Sequence, residues 1–279
     1  MKSNVLRTVT QIELDQLKPF LDDLNDTVET SSYIESDPVS FMHAFSDRDD
    51  QLIAGFFAAI MAWGRRDIVL SKVSNLLQRM DYSPVSFVKY YDDASFTNLI
   101  GFKHRTFTAE DVHWLIKILK IIYTKFGSLD LFWEFCYKTS IEKNVHYMDL
   151  FHQTFFSQLA DVPKRTQKHI ADKQKKSTCK RLFLFLRWAV RKNSPVDLGL
   201  MDAIPTSELR IPFDVHVARQ ARRLGLLSRT QNDWAALDEL HQRLVYLNPE
   251  DPARYDYALF GLGVLKLSIP EEFVINEQV

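Results

Sequence analysis

Residues Ile211–Leu226 read "IPFDVHVARQARRLGL". A proline opens the stretch, and Asp214 and His216 follow two residues apart. A basic run carrying Arg219, Arg222 and Arg223 comes next and stops at Gly225. An aspartate ahead of such a run can accept the free N–H groups of a first helical turn. A glycine just after the run supplies the left-handed step on which helices commonly end. The stretch is therefore a helix with both ends written into it. Asp214 keeps two readings. It is either a cap and nothing more, or a capped carboxylate held in place for work in a cleft.

The same grammar recurs along the chain. "QIELDQLKPFLDDLNDTVE" spaces Ile12, Leu14, Leu17, Phe20, Leu21 and Leu24 close to a helical period. "DPVSFMHAFS" predicts a short helix with Asp37 as its cap and Pro38 in its first turn. "DRDDQLIAGFFAAIMAW" adds acids in a first turn and an apolar body, and Gly64 ends it. Asp67 is the expected cap of the next helix. Thr108 and Asp111 have capping-box spacing, with Gly127 as the matching stop. "STCKRLFLFLRWAVRK" predicts a helix capped by Ser177, with Lys180 in its first turn. "TQNDWAALDELHQRLVYL" and "DPARYDYALFGLGVLKL" are two more helices begun by Asp or Asp–Pro. No alternating run is long enough to build a sheet, and glycine is scarce at 8 residues. The fold class is all-α.

Composition narrows the function classes. The chain has 279 residues, 46% apolar, enough for one large domain or two small lobes with real cores. Its two cysteines, Cys136 and Cys179, cannot hold an iron–sulfur cluster or a four-thiolate zinc site alone. They do not suggest a disulfide framework, and a reducing, cytoplasmic compartment is expected. The first residues carry no apolar signal core, and "QLIAGFFAAIMAW" is too short for a membrane span. No membrane partner and no cofactor are expected. His43, Asp47, Asp49 and Asp50 have the residue types of a divalent-ion site, but loop acids at a helix start are read as caps, so no metal is expected.

Charge is unevenly spread within a net of −1. Residues 1–50 hold eleven acids against four bases, whereas 161–192 hold eleven bases against two acids. A basic block in a neutral chain is either a nucleic-acid footprint or a solvated face. Its candidate phosphate contacts are Lys164, Arg165, Lys168, Lys175, Lys176 and Arg181. Trp63, Arg65 and Arg66, at the turn after the first apolar helix, extend that list. His216 and Arg219 join them from the quoted stretch, though a helix-face role serves each equally well.

Lys180 sharpens the reading of Asp214. A lysine in a first turn faces the positive end of the helix dipole, which disfavours the ammonium form and favours a nucleophilic amine. A first-turn lysine, an apolar helix, a loop and a Pro-x-Asp-x-His helix start together resemble the helix-hairpin-helix DNA glycosylase superfamily. "GFKHRTFTAEDVHWLIKILKIIYTKFGSLDLFWEF" looks most like its 8-oxoguanine branch, the archaeal type included. "CKRLFLFLRWAVRKNSPVDLGL" and "DPARYDYALFGLG" are similar to the signature stretches of a bacterial family catalogued as a domain of unknown function.

The resemblance covers about residues 50 to 265. It implies a two-lobed helical fold, with residues 51–176 as a barrel lobe and residues 1–50 plus 177–279 as the second. The cleft between the lobes would hold Lys180 as nucleophile on the sugar of a flipped base and Asp214 as charge stabiliser or proton carrier. Damaged duplex DNA is the implied partner, and excision of a base, with lyase activity, the implied reaction.

Three departures stand beside the likeness. No glycine occurs in "LADVPKRTQKHIADKQKKSTCK", where the superfamily's phosphate-gripping hairpin has two. Gly64 occupies the position at which the superfamily often carries a polar residue that fills the gap left by the flipped base. Lys180 and Asp214 are thirty-four residues apart, longer than in the common branches and similar to the archaeal 8-oxoguanine type. A nucleic-acid-binding module that kept the scaffold without the chemistry is the alternative reading.

Overall fold

A computed structural model describes residues 6–277. Helix α1 (Gln11–Val28) starts at a capping box in which Thr10 and Glu13 satisfy each other's backbone N–H. Leu14, Leu17, Leu21, Leu24 and Val28 form its buried stripe. Ile12, counted in the apolar period above, falls off that stripe and is exposed. Helix α2 (Ser40–His43) is one turn long and begins after Val39. Asp37 is not its cap: its Oδ1 accepts the Val39 N–H at 3.1 Å one step before the helix.

Helix α3 (Arg48–Ile60) is capped by Asp47, which accepts the N–H groups of Asp49 and Asp50. Leu52 through Ile60 are all buried, so this helix is apolar on every side and forms the hub of the molecule. It packs against α2, α4 (Arg66–Arg79) and α5 (Pro84–Tyr90), and against two helices further along the chain. Helix α4 starts after Arg65, and Asp67 is a first-turn acid, not the cap expected of it. Gly64 joins α3 to α4 at φ +100°, a backbone state that suits glycine.

Helix α6 (Phe96–Leu99) leads to a two-residue hairpin, β1 (Lys103–His104) against antiparallel β2 (Phe107–Thr108). It is the one sheet among the described residues. Helix α7 (Ala109–Phe126) follows, with the Thr108–Asp111 capping box in place and Gly127 ending it. Helices α8 (Leu129–Lys143) and α9 (Tyr147–Ser157) pack together as a pair, with Trp133 stacked on Phe151 at 3.8 Å, and α8 also reaches α3. One turn, α10 (Lys164–Gln167), rests on α7.

Helix α11 (Lys180–Val190) packs on α3. Helices α12 (Val215–Arg223), α13 (Trp234–Leu247) and α14 (Tyr255–Val264) complete the chain. Helix α14 packs on both α1 and α12, which brings the two ends of the chain together. Gly261 permits that approach: a Cβ there would lie 2.7 Å from Val28 Cγ2. One continuous apolar cluster runs through the long helices. No helix among the described residues is long and apolar enough to cross a membrane.

Candidate functional site

Lys180 and Asp214 come together because the chain goes out and returns. Helix α11 carries it away from Lys180 for eleven residues. The loop after it doubles back, with Leu198 and Met201 donating to the carbonyls of Trp188 and Ala189. Thr178 then donates to the Phe213 carbonyl at 3.3 Å, tying the start of α11 to the start of α12. The long spacing between lysine and aspartate is thus one helix plus its return path.

Lys180 lies in the first turn of α11, as expected, but as its first residue, because Ser177 does not cap that helix. Cys179 precedes Lys180 in the left-handed conformation at φ 51° and caps with no side-chain bond. Ser177 Oγ instead accepts the Cys179 N–H. Lys176, at φ 62°, makes a second left-handed step three residues earlier. The turn into α11 is therefore built from non-glycine residues in conformations that glycine adopts more easily.

The two carboxylate oxygens of Asp214 do different jobs. Oδ1 accepts the backbone N–H groups of His216 at 2.8 Å and Val217 at 2.9 Å, capping α12. Oδ2 accepts from Lys180 Nζ at 2.8 Å. Burial pushes the Asp214 carboxyl up, but the Lys180 charge, its hydrogen bond and the two backbone donors outweigh that and hold it below its ordinary value. The cap locks the aspartate in place, and the second oxygen faces the lysine.

This pair stands between two spaces. An inner pocket of about 130 Å³ has Lys180 and Asp214 at its rim, Tyr33, Leu184, Val217 and Phe260 on its walls, and Arg187 and Asp256 among its lining. An outer groove of about 600 Å³ shares Lys180, Asp214, Ala62 and Gly64 with the pocket and continues past Trp63, Thr178, Arg181 and His216. The pair therefore borders both the groove and the pocket.

The other residues expected to meet nucleic acid divide into distinct sets. Arg66 turns toward the pocket, 3.6 Å from Asp37 and with its guanidinium 5.4 Å from the centre of the Phe260 ring. Arg181 donates to the Ile60 carbonyl and lies over Trp63, which also meets His104 and His169, so Trp63 is anchored in a stack at the groove edge. His216 and Arg219 are exposed on α12. Arg65 is held by Asp67 at the surface.

The basic block is less free than its composition suggests. Buried Asp111 takes Arg165 at 2.9 Å, Asp149 takes Lys173 at 2.8 Å, and Asp172 takes Lys175 at 3.3 Å. Arg187 and Arg191 are wholly interior. Lys164, Lys168 and Lys176 are exposed and form no ion pair among the described residues. Arg222 points inward and clamps the carbonyls of Arg229 and Thr230.

Asp256 lies in the first turn of α14. A carboxylate in a first turn ordinarily serves as a cap or complements the helix dipole. Asp256 is instead buried at the pocket, ion-paired with Arg187. Burial pushes its carboxyl up to about 6 against the pull of Arg187, with Asp214 adding to the rise and Lys180 opposing it. Behind this pair, Asp197 joins Arg187 to Arg191, and Arg191 reaches Glu29 at 2.8 Å and Asp251 at 2.9 Å. Tyr257 donates to Asp197 at 2.8 Å and lies under the Arg187 guanidinium. The available signal was an arginine inside the apolar run "RLFLFLRWAV", since a buried cation needs a partner.

Among the described residues, no group of three or more histidine, cysteine, aspartate or glutamate side chains is arranged to hold a metal ion. His43 Nε2 donates to the Val196 carbonyl at 2.7 Å, Asp50 accepts the Val85 N–H, and Asp49 faces Lys89.

A model of a family described as protein of unknown function, DUF2400, matches residues 37–265. The chain belongs to this family. The matched DUF2400 region contains Lys180, Arg187, Asp214 and Asp256, while Tyr33 of the pocket wall lies outside it. No curated protein and no solved structure matches the chain.

Proposed function

We propose that the protein is a DNA N-glycosylase with lyase activity that acts on a damaged base turned out of the helix. The observation that carries this reading is the Lys180–Asp214 pair, 2.8 Å apart where the outer groove meets the inner pocket. A nucleic-acid strand would follow the groove, and its extruded base would enter the pocket past the pair. Asp214 Oδ2 takes a proton from the Lys180 ammonium, and the freed amine attacks C1′ of the sugar. The bond from C1′ to the base nitrogen breaks, its electron pair leaves with the base, and Asp214 passes the proton to the base and becomes a carboxylate again. Opening of the sugar ring then leaves an imine between Lys180 and C1′. Asp214, fixed by its two backbone donors, also offsets the positive charge that develops on the sugar. Lys164, Lys168, Lys176 and Arg181 would meet backbone phosphates, and two buried free cysteines accord with a cytoplasmic location.

Borohydride trapping tests the reading on duplexes carrying an abasic site, 8-oxoguanine or uracil. A covalent adduct is expected with the wild-type chain and is lost in Lys180→Gln. One feature favours a second reading, a binding module without chemistry: the turn before α11 has no glycine, so the usual close backbone approach to phosphate is missing and the exposed lysines must serve alone. That reading predicts no adduct and salt-sensitive DNA affinity. Absence of affinity even at low salt removes both.

A further inference from the structure

The chemistry above leaves two side chains of the inner pocket unused. Arg187 and Asp256 both line it, with side chains only 2% and 6% exposed. Arg187 Nη1 donates to Asp256 Oδ2. Nη2 of the same guanidinium is buried and has no hydrogen-bond partner among the described residues. A buried donor left unmet is costly, and native proteins seldom tolerate one. The bond from Arg187 uses one carboxylate oxygen of Asp256 and leaves Oδ1 for another donor. An unmet N–H and an available carboxylate oxygen, on two bonded residues that line one pocket, together match a C=O next to an N–H. The walls suit a flat ring: Phe260 and Tyr33 are aromatic, Leu184 and Val217 apolar.

We propose that Arg187 and Asp256 are the ligand-reading pair of this pocket and that they take a planar heterocycle by a cyclic-amide edge. The carbonyl oxygen accepts from Arg187 Nη2 and the ring N–H donates to Asp256 Oδ1. The inference rests on the proposed function in one respect only, that the ligand is a nucleobase; it does not need the Lys180 chemistry. The network behind the pair fixes both side chains. Asp197 and Tyr257 brace the guanidinium from the far side, so the pair cannot rotate to suit the opposite edge.

The test is a titration of the ¹⁵N-labelled full chain with three free bases, read at the backbone amides of Val69 and Val217 in the pocket wall. Hypoxanthine carries the amide edge. 1-Methylhypoxanthine has a methyl group in place of that N–H, and adenine presents the donor and acceptor in reverse order. Hypoxanthine is expected to bind at least about tenfold tighter than either, because a site that hydrogen-bonds an edge rejects an analogue lacking it. Equal affinity for the three, tighter binding of the methylated base, or no response to any of them overturns the proposal. Asp256→Asn, which turns the acceptor into a mixed donor and acceptor, should erase the preference. If that variant does not fold, the comparison of bases on the wild-type chain still decides. A borohydride adduct without an edge preference overturns this inference and leaves the enzyme. An edge preference without an adduct supports this inference and removes the enzyme.

Discussion

Two ion pairs border the same pocket at different depths. The rim pair, Lys180 with Asp214, has side chains 37% and 20% exposed. The inner pair, Arg187 with Asp256, is buried. The residue chemistry is alike, yet depth changes what each can do. At the rim, both partners stay open to solvent, which the proposed proton transfer and attack by the lysine require. In the interior, desolvation dominates: it raises the Asp256 carboxyl, and only a chain of further partners makes the arginine tolerable. Exposure distinguishes the shallow pair, and fixed geometry the deep one.

Breaking the deep pair should have the largest effect. Arg187→Met leaves Asp256 without an ion-pair partner in the interior and Asp197 with Arg191 alone, and a loss of about 3–5 kcal/mol is expected in urea unfolding. A loss below about 1 kcal/mol would make the inner pair energetically equivalent to a surface one. Lys180→Gln should do the reverse. It abolishes the borohydride adduct while changing unfolding stability by no more than about 1 kcal/mol, the scale of a half-exposed pair. A Lys180→Gln variant that unfolds like Arg187→Met would erase the distinction.

Asp214→Ala lies between them. It removes the cap of α12 and the lysine's partner together, for about 1 kcal/mol in thermal unfolding. Asp214→Asn retains an acceptor for the cap and should recover most of that stability but none of the adduct.

The pH dependence separates the two carboxylates by sign. Asp256 is raised in the fold, so the folded chain holds its proton more tightly than the unfolded one. Its contribution to stability therefore declines as pH rises from the ordinary aspartate value of 3.8 through about 6. Asp214 is lowered, so its contribution is present above the ordinary aspartate value and is lost as pH falls through its folded value. Carboxyl ¹³C shifts should show Asp256 titrating near 6, under the influence of Arg187, Asp197, Asp214 and Lys180. An Asp256 midpoint at the ordinary value would mean that water reaches this carboxylate. The smallest expected effect is on the outer surface. Replacing Lys164, Lys168 and Lys176 by glutamine should flatten the salt dependence of DNA binding, by up to about 0.9 in log–log slope for each phosphate that is no longer neutralised.

Local signals were legible in the sequence where their partners are near in the chain. Asp47, Asp214 and Asp233 cap helices through backbone groups two or three residues away, and the Thr108–Asp111 box closes on itself. Ser177 and Asp67 carried the same signal and do not cap, because helices α11 and α4 begin one or more residues away from where those side chains could reach. The basic block misled in another way. Composition counts charges but not their directions, and the carboxylates that neutralise Arg165, Lys173, Arg187 and Arg191 come from other helices or from the loop after α11.

Helical periodicity, caps and breakers were enough to establish from the sequence alone that this is an all-α protein and that Lys180 and Asp214 each stand at a helix start. Those properties depend on a few neighbouring residues, whose geometry the backbone dictates. The tertiary structure alone decided that the two helix starts lie side by side, that Asp256 faces Arg187, and that a pocket opens between them. Those depend on pairings across 34 and 69 residues of chain. Such pairings are set by how apolar helix faces pack and by where burial forces each charge to find a partner.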